Sequence, residues 1–168
     1  MNDAMPVLDV PVAAPVTVNL VNGKIDPTLI DGETREMWIS RLKDAMGTES
    51  DDLANYALVT MFKASKHPDV LKINAMIETV RAGQARDPQE LLLLVQMAAC
   101  AQRLQEAIVA EMNAMLPEDK FIQTKIVRQY GQLYCRQLEA LRRYRRTGDQ
   151  QITVVHVERA DTVAVKAG

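Results

Sequence analysis

The sequence predicts a mainly α-helical protein in three parts: a small N-terminal helical bundle, a long antiparallel helical hairpin, and a short C-terminal β-strand or hairpin used in oligomerisation. Three observations carry this expectation. Apolar residues recur at spacings of three and four along two stretches joined by Leu116-Pro117-Glu118-Asp119. Aromatic residues make up 4% of the chain while Met occurs nine times, which suits an aliphatic core of helix on helix. The last helical pattern stops at Thr147-Gly148-Asp149, and Gln151-Ile152-Thr153-Val154-Val155-His156-Val157 then reads as β.

Residues 1–31 read as an extended arm. Pro6, Pro11, Pro15 and Pro27 interrupt every possible helix there. Residues 16–21 form a weak strand candidate followed by the turn dipeptide Asn22-Gly23, and the arm is expected to be ordered only on a neighbour. Residues 32–85 read as the small helical domain. Its first helix has Thr34 as N-cap, turns Met37, Trp38, Arg41, Leu42 and Ala45 to one side, and ends near Met46 with Gly47 at C′. Ser50-Asp51-Asp52 caps a second, with an apolar stripe of Leu53, Tyr56, Ala57, Thr60, Met61 and Ala64. His67-Pro68 breaks it. Asp69 opens a third helix, with Val70, Ile73, Ile77 and Val80 inward to about Gly83. No helix-turn-helix signature stands out, because no short turn holds a telling glycine.

Residues 86–147 read as the hairpin. Asp87-Pro88-Gln89-Glu90 combines an N-cap, a proline at the first helical position and a first-turn acid. Leu91, Leu94, Ala98, Ala101, Gln105, Ile108, Met112 and Met115 then follow a heptad-like rhythm. A second edge of Leu92, Val95 and Ala99 widens the stripe, so the helix must pack on more than one neighbour. Side-by-side hairpins from several copies would supply one. Ile122, Ile126, Tyr130, Leu133, Leu138 and Leu141 point inward on the returning helix. Each helix covers roughly 28 residues, about 42 Å at 1.5 Å per residue.

Residues 148–168 form the C-terminal β segment. A lone strand leaves its backbone N–H and C=O groups unpaired, so it needs a second strand (residues 162–166) or another copy of the chain. The expected oligomerisation residues are therefore Leu91, Leu94, Ala98, Ile108 and Met112 on the hairpin and Ile152, Val154, Val155 and Val157 on the strand.

The net charge is −2, but it is unevenly spread. Residues 119–147 carry eight basic side chains and two acids, +6 against −8 for the rest. Lys125, Arg128, Arg136, Arg143 and Arg146, with Gln132 between, share one helix face about 30 Å long, interrupted by Glu139. Such a stripe can follow a nucleic-acid backbone by neutralising phosphates. It can equally pair with acids of an adjacent hairpin (Glu90, Glu106, Glu111) or remain a solvated face. The lack of interleaved aromatics disfavours single-stranded ligands.

Catalysis finds no support. There is no H-E-x-x-H, G-x-S-x-G, P-loop or G-x-G-x-x-G pattern, so no catalytic, metal or cofactor residues are expected. His156 sits in the strand with His67 far off, and reads as a satisfied or partly buried side chain. Cys100 and Cys135 lack C-x-x-C spacing and read as small buried hydrophobes in a reducing compartment. No apolar run reaches membrane-spanning length, and no basic n-region precedes a hydrophobic stretch. A cytoplasmic, non-membrane protein is expected.

Gly148, Gln150-Gln151-Ile152-Thr153-Val154-Val155-His156-Val157 and the preceding Leu138-Glu139-Ala140-Leu141 resemble the C-terminus of a phage- and prophage-associated proteobacterial family, which ends in G-x-Q-x-[VI]-T-V-x-H-V. Residues 91–99, with Gln96-Met97-Ala98, are similar to that family's preceding helix; the likeness covers about the last half of the chain and departs after Val157. The layout of three short helices, hairpin and strand resembles a phage terminase small subunit. That resemblance implies a ring-forming homo-oligomer in the bacterial host cytoplasm that recognises double-stranded viral DNA and loads or regulates the large terminase subunit. The alternative is a phage or host helical interaction module that binds protein and no nucleic acid.

Overall fold

A computed structural model describes residues 14–65 and 69–147. The order is β1 (Val18–Val21), β2 (Lys24–Pro27), α1 (Arg35–Met46), α2 (Asp51–Ala64), α3 (Val70–Gly83), α4 (Pro88–Met112) and α5 (Pro117–Thr147). The described chain is mainly helical with one small antiparallel hairpin. That hairpin lies near the N-terminus; the expected C-terminal strand, with Ile152, Val154, Val155 and Val157, falls outside the described residues.

Local chemistry sets the helix ends. Thr34, Ser50 and Asp69 each accept a backbone N–H from the residue three positions on, which satisfies a donor that the first turn leaves orphaned. Asp87 does so twice, from Gln89 and Glu90, ahead of Pro88. Gly47 closes α1 in the left-handed conformation at φ 66°, with its N–H on Asp44 O and the next N–H, from Thr48, on Lys43 O.

Residues 14–31 correct the expectation of an arm that needs a neighbour. They dock on their own helices. Val16 and Val18 are buried, Trp38 donates its indole N–H to Thr17 O at 3.2 Å, and Asn74 bonds both backbone groups of Val18. Asn22 and Gly23 both take positive φ, as a two-residue hairpin loop of this kind requires.

One core joins the bundle to the base of the hairpin: Trp38, Leu42, Met46, Met61, Ile73, Ile77, Leu91 and Val95 belong to the same buried cluster. α4 touches α2 and α3 on one side and α5 on the other. The second apolar edge of α4 thus finds a neighbour within the protomer, where Val95 is buried and Leu92 and Ala99 are half-buried, so a sister hairpin is not needed to supply one. Leu91, Leu94 and Ala98, on the first stripe of α4, are buried within the protomer. The inward side of α2 is also shifted: Ala54 and Leu58 are buried while Tyr56 is 60% exposed, because small residues let α2 approach its neighbours closely. Met37 in α1 and Ile122 and Leu133 in α5, all expected inward, are exposed, as is Cys135. Cys100 is buried between the hairpin helices, its thiol donating to Tyr130 O, and burial pushes its pKa up.

A cationic and apolar surface on the hairpin

α5 runs 31 residues without a break, so its three faces stay in register over its whole length. One face meets α4 through Tyr130, Tyr134, Leu138 and Leu141. A second carries the cations. Lys125, Arg128, Arg136, Arg143 and Arg146 are all exposed, and Gln132 between them is too. Among the described residues no ion pair engages Lys125, Arg128, Arg136 or Arg146.

The acids expected to meet this stripe from a neighbouring hairpin already have partners at home. Glu106 takes Lys72 at 3.2 Å and Arg103 at 3.4 Å. Glu111 accepts the Thr124 hydroxyl at 2.6 Å. Glu90 is buried against Arg145.

Beside the stripe runs an apolar groove. Three adjoining hollows meet at Tyr130: two of 260 Å³ lie between α4 and α5 and both reach Arg103, and one of 280 Å³ on α5 shares Ile126 with the first and Leu133 with the second. Ala99, Ala107 and Ala110 keep the α4 wall low, and Thr60 of α2 closes one end. Gln137 lines that end, and its buried Oε1 finds no donor among the described residues.

Past Glu106, where Lys72 still ties α4 to the bundle, the hairpin turns oily. Met112 is 80% exposed, Met115 96% and Phe121 73%, with Val109, Leu116 and Ile122 also exposed. These exposed apolar side chains cluster in sequence around the turn between α4 and α5. Of the expected hairpin assembly residues, Met112 lies in it and Ile108 is half-buried at its edge; Leu91, Leu94 and Ala98 do not contribute.

At the opposite end, Tyr144 and Arg145 grip the α3–α4 corner. The Arg145 guanidinium pairs with Glu90 and donates to Gly83 O, and the Tyr144 hydroxyl donates to Asp87 Oδ2 at 2.9 Å. The backbone N–H of Glu90, then the Tyr144 hydroxyl, hold the Asp87 carboxyl below its ordinary pKa; the same contact raises that of Tyr144. Sequence reasoning placed Arg145 outside the stripe without finding this role. The one available signal was its position, off the face shared by Arg143 and Arg146.

Among the described residues no group of three His, Cys, Asp or Glu side chains could hold a metal ion, and no helix is long and apolar enough to cross a membrane. No known protein family, curated protein or solved structure matches the chain.

Proposed function

We propose that this chain is a non-enzymatic, self-assembling DNA-packaging adaptor of the terminase small subunit kind, acting in the bacterial host cytoplasm. In this reading α5 binds the phosphate backbone of double-stranded DNA through Lys125, Arg128, Arg136, Arg143 and Arg146. The apolar hairpin surface around Ile108 and Met112 joins the copies, and the assembly presents DNA to the large terminase subunit. The observation that carries the reading is a row of exposed cations whose expected acidic partners are all engaged within the protomer.

The test is duplex binding by fluorescence anisotropy as salt rises. Neutralising five phosphates gives a slope of log K against log salt of about −4.5. Lys125→Glu, Arg128→Glu and Arg136→Glu together abolish binding without unfolding the chain, since all three side chains are exposed. Wild-type protein that ignores duplex DNA at low salt would refute the assignment. It would favour the second reading, a protein–protein module, for which the exposed Met112, Met115 and Phe121 provide the docking surface.

A further inference from the structure

The last turn of α5 faces two ways. Tyr144 and Arg145 turn onto the α3–α4 corner, while Arg143 and Arg146 are exposed. Glu90 is the one charged residue buried among the described residues, with a fully covered side chain. Both its oxygens are taken: Oε1 by Arg145 and Oε2 by the Arg86 backbone N–H at 2.8 Å. Arg145 also donates to Gly83 O, which ends α3, and reaches Gln84 O at 3.5 Å. Asp87, the acceptor for Tyr144, is the residue that caps α4. A single helical turn therefore holds the end of one helix and the start of the next.

A buried ion pair adds little net stability over an apolar pair, yet displacing one partner strands a charge. Its physical effect is to make the junction all-or-none: either the whole turn is seated or Glu90 is exposed to water. We propose that this turn is a latch, in which Tyr144 and Arg145 order the last turn of α5 against the bundle and thereby position Arg143 and Arg146 for a phosphate backbone. Tyr144 and Arg145 are positioning residues and touch no phosphate themselves. Coupling of this kind is reciprocal: DNA seated on Arg143 and Arg146 tightens the α3–α4 corner, and a loosened corner weakens the DNA contact. The DNA half of the inference rests on the function proposed above; the latch half rests on the contacts alone.

Amide hydrogen exchange on the full chain tests both halves. In free protein, Arg145→Gln speeds exchange in residues 83–90 and 140–147 together, by about tenfold or more. Because that variant strands Glu90 and can unfold, Tyr144→Phe is the second arm. It removes one hydrogen bond and speeds the same two segments by about fivefold, with unchanged circular dichroism. Unchanged exchange in residues 83–90 for a folded variant overturns the latch. With a DNA duplex added, wild-type residues 83–90 exchange more slowly and those of Tyr144→Phe respond less. A duplex that binds yet leaves the wild-type corner unaltered overturns the coupling. A duplex that fails to bind removes the DNA half along with the proposed function, and the free-protein comparison still decides the latch.

Discussion

Asn74 of α3 holds Val18 of β1 by both backbone groups, accepting its N–H on Oδ1 at 2.9 Å and donating from Nδ2 to its carbonyl at 3.3 Å. A side chain thus does for Val18 what a third strand would do. Val18 is fully buried, so neither group can turn to water instead. Asn74→Ala is expected to destabilise the protein by about 1–3 kcal/mol, the cost of leaving buried polar groups unpaired. Urea denaturation measures the loss, and amide exchange should place it at residues 16–28. Loss-free denaturation would mean that the hairpin is held by Trp38 and the valines alone.

Two glycines differ in what they tolerate. Gly47 has φ +66°, and a Cβ there would lie 2.6 Å from the backbone oxygen of Ala85. Gly83 is helical, and its Cβ would meet the Leu94 methyls at 2.6 and 2.8 Å. A side chain can shift where a backbone carbonyl cannot, and alanine at Gly83 also gains about 1 kcal/mol of helix propensity. Gly47→Ala should therefore cost about 1–3 kcal/mol and exceed the cost of Gly83→Ala. Thermal unfolding of the two variants orders them, and the reverse order would contradict this account.

The parts of the fold that were legible in sequence are those decided within a few residues. Thr34, Ser50, Asp69 and Asp87 each act on donors in their own first turn, and Gly47 on carbonyls of its own last turn. What hid was decided at long range. Asn22-Gly23 announces a turn, but the docking of its hairpin depends on Trp38 and Asn74, far along the chain. The widened stripe of α4 correctly demanded a second neighbour, and nothing local told a sister hairpin from the chain's own α2 and α3. Helical spacing alone located the exposed cations of α5. It could not show that Glu90, one first-turn acid among several in the chain, is sealed against Arg145.

The Tyr144–Asp87 bond should fail at both ends of the pH scale. The folded pKa of Asp87 lies below its usual value near 3.9, through the Glu90 backbone N–H first and then Tyr144. Its stabilising contribution is complete above that usual value and fades as pH falls through the depressed one. Tyr144 is raised by the same hydrogen bond, so its contribution is complete below its unfolded pKa near 10 and fades as pH rises through the elevated one. The stability difference between wild type and Tyr144→Phe is expected to be flat from about pH 5 to pH 9 and to shrink on either side. Urea midpoints across that range supply the check, and a difference that grows toward acid would invert the assignment.

Burial separates the residues that hold the protomer from those that can hold copies together. Leu94 is buried against Gly83 of α3, whereas Met112 and Phe121 stand mostly in water beyond the bundle. Leu94→Lys should unfold the protein, because a charge there has no partner within reach of the core. Met112→Lys with Phe121→Lys should change monomer stability by no more than about 0.5 kcal/mol, as exposed positions generally do. The same pair should shift the mass distribution toward monomer in mass photometry, since two cations would enter an apolar contact between copies. If the doubly substituted protein assembles as the wild type does, the hairpin tip is not the joint between copies. Assembly would then have to run through other surfaces, with the tip left for a different partner.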